Sequence, residues 1–85
     1  MSRFDIQPGH DVIVSQGRSA AAVARCIEVV PIHLRRALTG VISPSWEVRE
    51  RLPEFLGVPI EELFTKEALA SEPSNHRKPS RVVSA

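Results

Sequence analysis

The amino-acid sequence predicts a small all-α fold, a bundle of about five short helices, and three observations carry that prediction. Apolar residues recur at the 3.6-residue helical period in one segment after another, each bounded by a capping serine, a leading proline or a closing glycine. Only residues 10–16 are rich enough in β-branched side chains to compete as a strand. Eighty-five residues, 42% of them hydrophobic, suffice for one domain with one modest core, and the single cysteine, Cys26, allows no intrachain disulfide, so buried helix faces must hold the fold.

The elements follow in order. "HDVIVSQ", residues 10–16, is read as a two-turn helix ending at Gly17, because an all-helical domain offers a lone strand no partner for its backbone groups. "SAAAVARCI" opens on Ser19 as N-cap and sets Ala20, Val23, Ala24 and Ile27 on one face, leaving Arg18 and Arg25 outside it. Cys26, one residue from that stripe, is expected to pack as a small hydrophobe.

"PIHLRRAL" carries Pro31 at its first position, where the missing donor costs nothing, and stops at Gly40. Leu34, Ala37 and Leu38 form its inner stripe; Ile32, His33, Arg35, Arg36 and Thr39 are left wholly or partly outward.

"SPSWEVRERLPEFLG" is read with Ser43 as N-cap, Pro44 at the first position, Val48, Leu52, Phe55 and Leu56 inward, and Gly57 as terminator. Trp46 is expected to be a partly buried plug, and Pro53 to kink or split the helix, since it removes a backbone bond. A short final helix is predicted from Pro59, with Ile60, Leu63 and Phe64 turned inward. The domain is bounded at residues 1–70. Residues 71–85, with two prolines, four serines and no apolar periodicity, are expected to be a disordered basic tail.

Charge is uneven although the total is only +1. Between Gly17 and Gly40 stand Arg18, Arg25, Arg35 and Arg36 against Glu28 alone, whereas residues 41–70 are acidic. A basic middle of this kind is the footprint expected for nucleic acid, or equally a set of solvated helix faces. Cys26, His10, His33 and His76 supply no metal-ligand spacing, and no phosphate loop, nucleophile elbow or paired-carboxylate pocket is present, so neither catalysis, nor a metal or cofactor, nor a small-molecule substrate is expected. The longest apolar runs fall far short of the ~20 residues a membrane span needs, and the N-terminus lacks the apolar core of a signal peptide. A cytoplasmic protein is therefore expected.

"GRSAAAVARCIEVVPIHLRRALTG" resembles the helix-turn-helix of the Cro and lambda-repressor (XRE) family, and "SPSWEVRERLPEFLGVPIEELF" extends the likeness through residues 17–64. Ala24 stands where the second helix crosses the first, Glu28, Val29 and Val30 form the turn, and Leu34 anchors the second helix. The resemblance implies a lambda-repressor-like bundle that binds double-stranded DNA as a homodimer on a pseudo-palindromic site and regulates transcription by occluding a promoter, as phage repressors, Cro proteins and small prokaryotic relatives do.

It places helix 31–38 in the major groove, with base contacts from Ile32, His33, Arg35 and Arg36. Arg36 is aimed at base edges, Arg35 at base or backbone, and Ile32 at a thymine methyl. Backbone contacts fall to Arg18, Ser19, Arg25, Thr39 and the amide of Gly40, and the dimer surface to Leu63, Phe64 and Leu69. Departures are visible too. Glu28 replaces the family's turn glycine, Val30 cannot cap, Ala20 replaces a polar residue, and Pro31 and Ile32 stand where bases are often read by hydrogen bonds. The missing polarity at Ala20 and at Pro31 and Ile32 lends support to a second reading, a protein-interaction module of the same fold docking on another regulator or RNA polymerase through Trp46 and the acidic helices.

Overall fold

The structure, a computed structural model, describes residues 3–74. Those residues form five α-helices and one 3-10 turn, with no strand among them: α1 Pro8–Ser15, α2 Ala20–Cys26, α3 Pro31–Leu38, α4 Trp46–Leu56, the turn Ile60–Glu62, and α5 Lys66–Ala70. Arg77, Lys78 and Arg81, and the disorder expected from residue 75 onward, lie outside the described residues.

The β-branched run is helical, as the tertiary argument required. Ile13 is buried in the core while Val14 is 58% exposed, a helical rather than a strand partition of neighbours. Ser19 caps α2 by accepting the Ala22 N–H at 3.2 Å. At α3 the predicted bounds hold, with Pro31 in the first turn and Gly40 left-handed at φ 84°. The core gathers Ile13, Val23, Leu34, Leu38, Leu52, Phe64 and Ala68, with at least one residue from each of the five α-helices.

Four expectations are corrected. Ser45, not Ser43, caps α4, accepting the Val48 N–H at 3.3 Å. Ser43 instead donates its hydroxyl to the Glu72 carbonyl at 2.5 Å, and Pro44 is buried before the helix begins. Pro53 does not split α4, which runs through to Leu56 and closes with Gly57 N–H donating to Pro53 O at 2.8 Å. The proline forfeits one bond, while Val48, Leu52 and Leu56, buried on both sides of it, keep the helix continuous against the core. The final helix is two pieces, because Thr65 accepts the Ala68 N–H at 3.4 Å and starts a new helix there. Cys26 is exposed: it sits about 100° around α2 from Ile27, off the buried face.

A fifth correction concerns the chain end. Residues 71–74 are a strap fastened to the body, with Arg49 Nη2 donating to Ser71 O at 2.8 Å and His33 Nε2 lying 2.9 Å from Ser74 Oγ. Local composition hid this, since the partners lie 22 and 41 residues away.

Candidate nucleic-acid interface

The site is built on α3, and the turn before it sets its direction. Glu28 has φ 62°, the one positive φ outside glycine among the described residues, and Val29 N–H closes the turn on Ala24 O at 2.8 Å. A non-glycine residue in this region costs roughly 1–2 kcal/mol. The neighbouring contacts offset it: Ala24 is fully buried where α2 and α3 meet, and Arg51 Nη1 donates to Ile27 O at 3.0 Å, tying α4 to the end of α2.

The far end of α3 is fixed by the N-terminal segment. Phe4 N–H donates to Gly40 O and Gln7 N–H to Leu38 O, both at 2.8 Å, so carbonyls that would otherwise be orphaned at the helix end are paired. Gln7, 1% exposed, accepts the Thr65 N–H at 2.8 Å through Oε1 and donates Nε2 to Asp5 O at 2.6 Å. Gly9 N–H donates to Leu63 O at 2.8 Å, with α1 so close that a Cβ on Gly9 would stand 2.9 Å from that oxygen.

Held at both ends, α3 turns Leu34, Ala37 and Leu38 into the core and presents a stripe of Ile32, Arg36 and Thr39, with Arg35 on one flank and His33 on the other. Arg35 and Arg36 are exposed, and neither has an ion pair or hydrogen bond through its guanidinium among the described residues. Ile32 is 47% and Val30 62% exposed, giving the start of the helix an apolar tip.

Other expected contacts are turned aside from this stripe or already engaged. His33 is half-buried on the flank and engaged with Ser74, because its side chain points about 85° away from the outward direction. Thr39 bonds its hydroxyl to Arg35 O at 3.0 Å, within its own helix. The Gly40 amide is buried under Phe4 and Asp5 and faces Ala37 O at 3.3 Å, so it has no open side for a phosphate.

Arg18 lies over the Phe55 ring at 4.7 Å and donates Nε to Gln16 Oε1 at 3.0 Å. Ser19 is engaged as the α2 cap, and Arg25 stands exposed in the last turn of that helix. Leu63 and Phe64 are 0% and 1% exposed within a single chain, and Leu69 is half-buried. The first two therefore cannot form the surface expected to meet a second copy: they are turned into the core, as the apolar spacing of the final segment predicts.

Sequence reasoning missed two groups of residues. Arg3 is exposed beside Phe4, at 5.0 Å from its ring, and so adds a cation next to the segment that covers the end of α3. Arg49 donates to Pro44 O, Leu69 O and Ser71 O at 2.9, 2.9 and 2.8 Å, and burial lowers its pKa from the usual arginine value. It caps α5 and braces the loop before α4 with one guanidinium fork. The local pattern marked Arg49 only as a charge on a helix, since its acceptors are brought in by tertiary packing.

Among the described residues no helix is long and apolar enough to cross a membrane, and no three His, Cys, Asp or Glu side chains converge as a metal site would require. Comparison of the chain with protein-family models, with curated proteins and with solved structures finds no match.

Proposed function

We propose that the protein is a double-stranded DNA-binding transcriptional regulator of the Cro and lambda-repressor type, with α3 as the helix that enters the major groove. The observation that carries this reading is the pair Arg35 and Arg36, exposed and without a guanidinium partner among the described residues, on a helix whose opposite face, Leu34, Ala37 and Leu38, is fully buried. A guanidinium held outward over a packed base meets guanine O6 and N7 with two parallel hydrogen bonds, or clamps a phosphate. Left-handed Glu28 and buried Ala24 support it independently, since a turn of this kind sets two short helices at the wide angle that lets the second one protrude.

In this reading Arg36 reads base edges, Arg35 reads base or backbone, Ile32 rests on a thymine methyl, and Arg25 with Arg3 meets phosphates. One such module covers few base pairs, so two copies on a pseudo-palindromic duplex, with half-sites about 34 Å apart, are part of the proposal. Bound over a promoter, the pair excludes polymerase without doing chemistry.

The test is duplex binding across a salt series, followed by selection of bound sites from a random library. Affinity is expected to fall steeply with salt, and recovered sites to be symmetric. A second reading, docking on another regulator, is favoured by one observation, the apolar tip at Val30 and Ile32 where hydrogen-bonding side chains would read bases. Failure to bind any duplex at low salt would select it.

A further inference from the structure

The leading end of α3 offers no hydrogen-bonding side chain. Val30, Pro31 and Ile32 are exposed hydrocarbon, Val30 makes no side-chain cap, and His33, the first polar residue, is engaged with Ser74 on the flank. Ile32 nevertheless stands on the outward stripe, about 40° around the helix from Arg36 and about 60° to the other side from Arg35. Two exposed guanidinium groups without a partner among the described residues therefore bracket an exposed isoleucine.

That bracket describes what covers the isoleucine: a surface that is anionic at its sides and apolar at one point. A major groove supplies both, with phosphates along its walls and, on its floor, a single apolar feature, the methyl group at C5 of thymine. Methylated cytosine carries its methyl at the same position. Purines instead present N7 with O6 or N6, which Ile32 would desolvate without offering a partner. Nor can a hydrocarbon tell the O4 acceptor of thymine from the N4 donor of cytosine by hydrogen bonding. Between pyrimidines it discriminates through apolar area at C5, so the methyl group decides.

We propose that Ile32 selects a pyrimidine that carries a C5-methyl group, thymine or 5-methylcytosine alike, while Arg36 holds a neighbouring guanine. Four residues of helix rise about 6 Å and base pairs stack about 3.4 Å apart, which puts the guanine about one to two base pairs along the groove. The proposal rests on the DNA-binding reading above and adds that affinity for the site responds to cytosine methylation.

The test uses the full chain and a duplex recovered by selection, in which each thymine is replaced in turn by uracil, a change that removes only the methyl group. One position in each half-site is expected to lose affinity about three- to fourfold, the worth of one buried carbon. With a cytosine–guanine pair at that position, 5-methylcytosine is expected to bind better than cytosine by the same factor. Ile32 lies outside the core, so Ile32→Ala leaves the fold in place, and both ratios are expected to fall to near unity. Arg36→Ala, although it weakens binding, is expected to keep both. Absence of any uracil-sensitive position, 5-methylcytosine that binds no better than cytosine, or ratios that persist in Ile32→Ala each overturn the proposal and leave the DNA-binding reading intact. A parent chain that binds no duplex at low salt overturns both.

Discussion

Gln7 accepts the backbone N–H of Thr65 at 2.8 Å across 58 residues of chain, and with its own backbone N–H bonded to Leu38 O it joins the N-terminal segment, the end of α3 and the start of α5. Gln7→Leu preserves bulk but leaves the Thr65 N–H without its acceptor in a buried setting. A loss of about 1–3 kcal/mol is expected, read as a lower urea midpoint at unchanged slope. A loss below about 0.5 kcal/mol would show that the contact is incidental.

Gly40 and Gly17 separate two reasons for a glycine. Both are left-handed, at φ 84° and 73°, but a Cβ at Gly40 would run into the carbonyl oxygens of Phe4 and Asp5, while one at Gly17 meets nothing within 4 Å. Gly17→Ala is expected to cost about 1 kcal/mol, the left-handed penalty alone. Gly40→Ala adds displacement of the N-terminal segment and is expected to cost at least ~3 kcal/mol. Equal thermal shifts for the two variants would contradict this.

These two glycines also mark the boundary of what the sequence discloses. Pro31 and Gly40 constrain their own backbones, so the span of α3 and its inner stripe were legible residue by residue, and with them the outward placement of Arg35 and Arg36. Ser43 and Ser45 are equally good caps locally; the choice between them depends on the Glu72 carbonyl, which packing brings in from 29 residues away. The same holds for His33, turned to Ser74 from 41 residues away, whereas the inward turn of Leu63 and Phe64 was legible from their spacing. Helical periodicity reports which face is apolar, and it carries no information on which polar groups meet across the fold.

Glu28 carries the strain that permits the turn. Glu28→Gly relieves the left-handed penalty, offset in part by the greater freedom of glycine in the unfolded chain, and a net gain of about 0.5–1 kcal/mol is expected. Glu28→Val, β-branched at positive φ, is expected to lose at least 1 kcal/mol, on the order of the left-handed cost itself. Chemical denaturation of the three proteins gives the order Gly, Glu, Val from most to least stable; any other order would mean that the Glu28 side chain makes a compensating contact.

The arginines divide into two classes, and stability and DNA affinity should separate them. Arg49 and Arg51 donate to backbone carbonyls of Leu69 and Ile27, at 2.9 and 3.0 Å, so truncating either leaves carbonyls at a helix end without a donor. Arg49→Ala and Arg51→Ala are each expected to lower stability by about 1–3 kcal/mol. Arg35 and Arg36 touch no acceptor within the described chain, and their removal takes away two adjacent like charges. Arg36→Ala should therefore leave stability within about 0.5 kcal/mol of the parent while weakening binding to the selected duplex by about 1–3 kcal/mol and relaxing preference at one base pair. Arg35→Ala is expected to weaken binding either at one base pair, if it reads a base, or uniformly across sequences with a smaller salt slope, if it holds a phosphate. An Arg36→Ala chain that unfolds earlier and binds unchanged would reverse the assignment, making that side chain part of the scaffold.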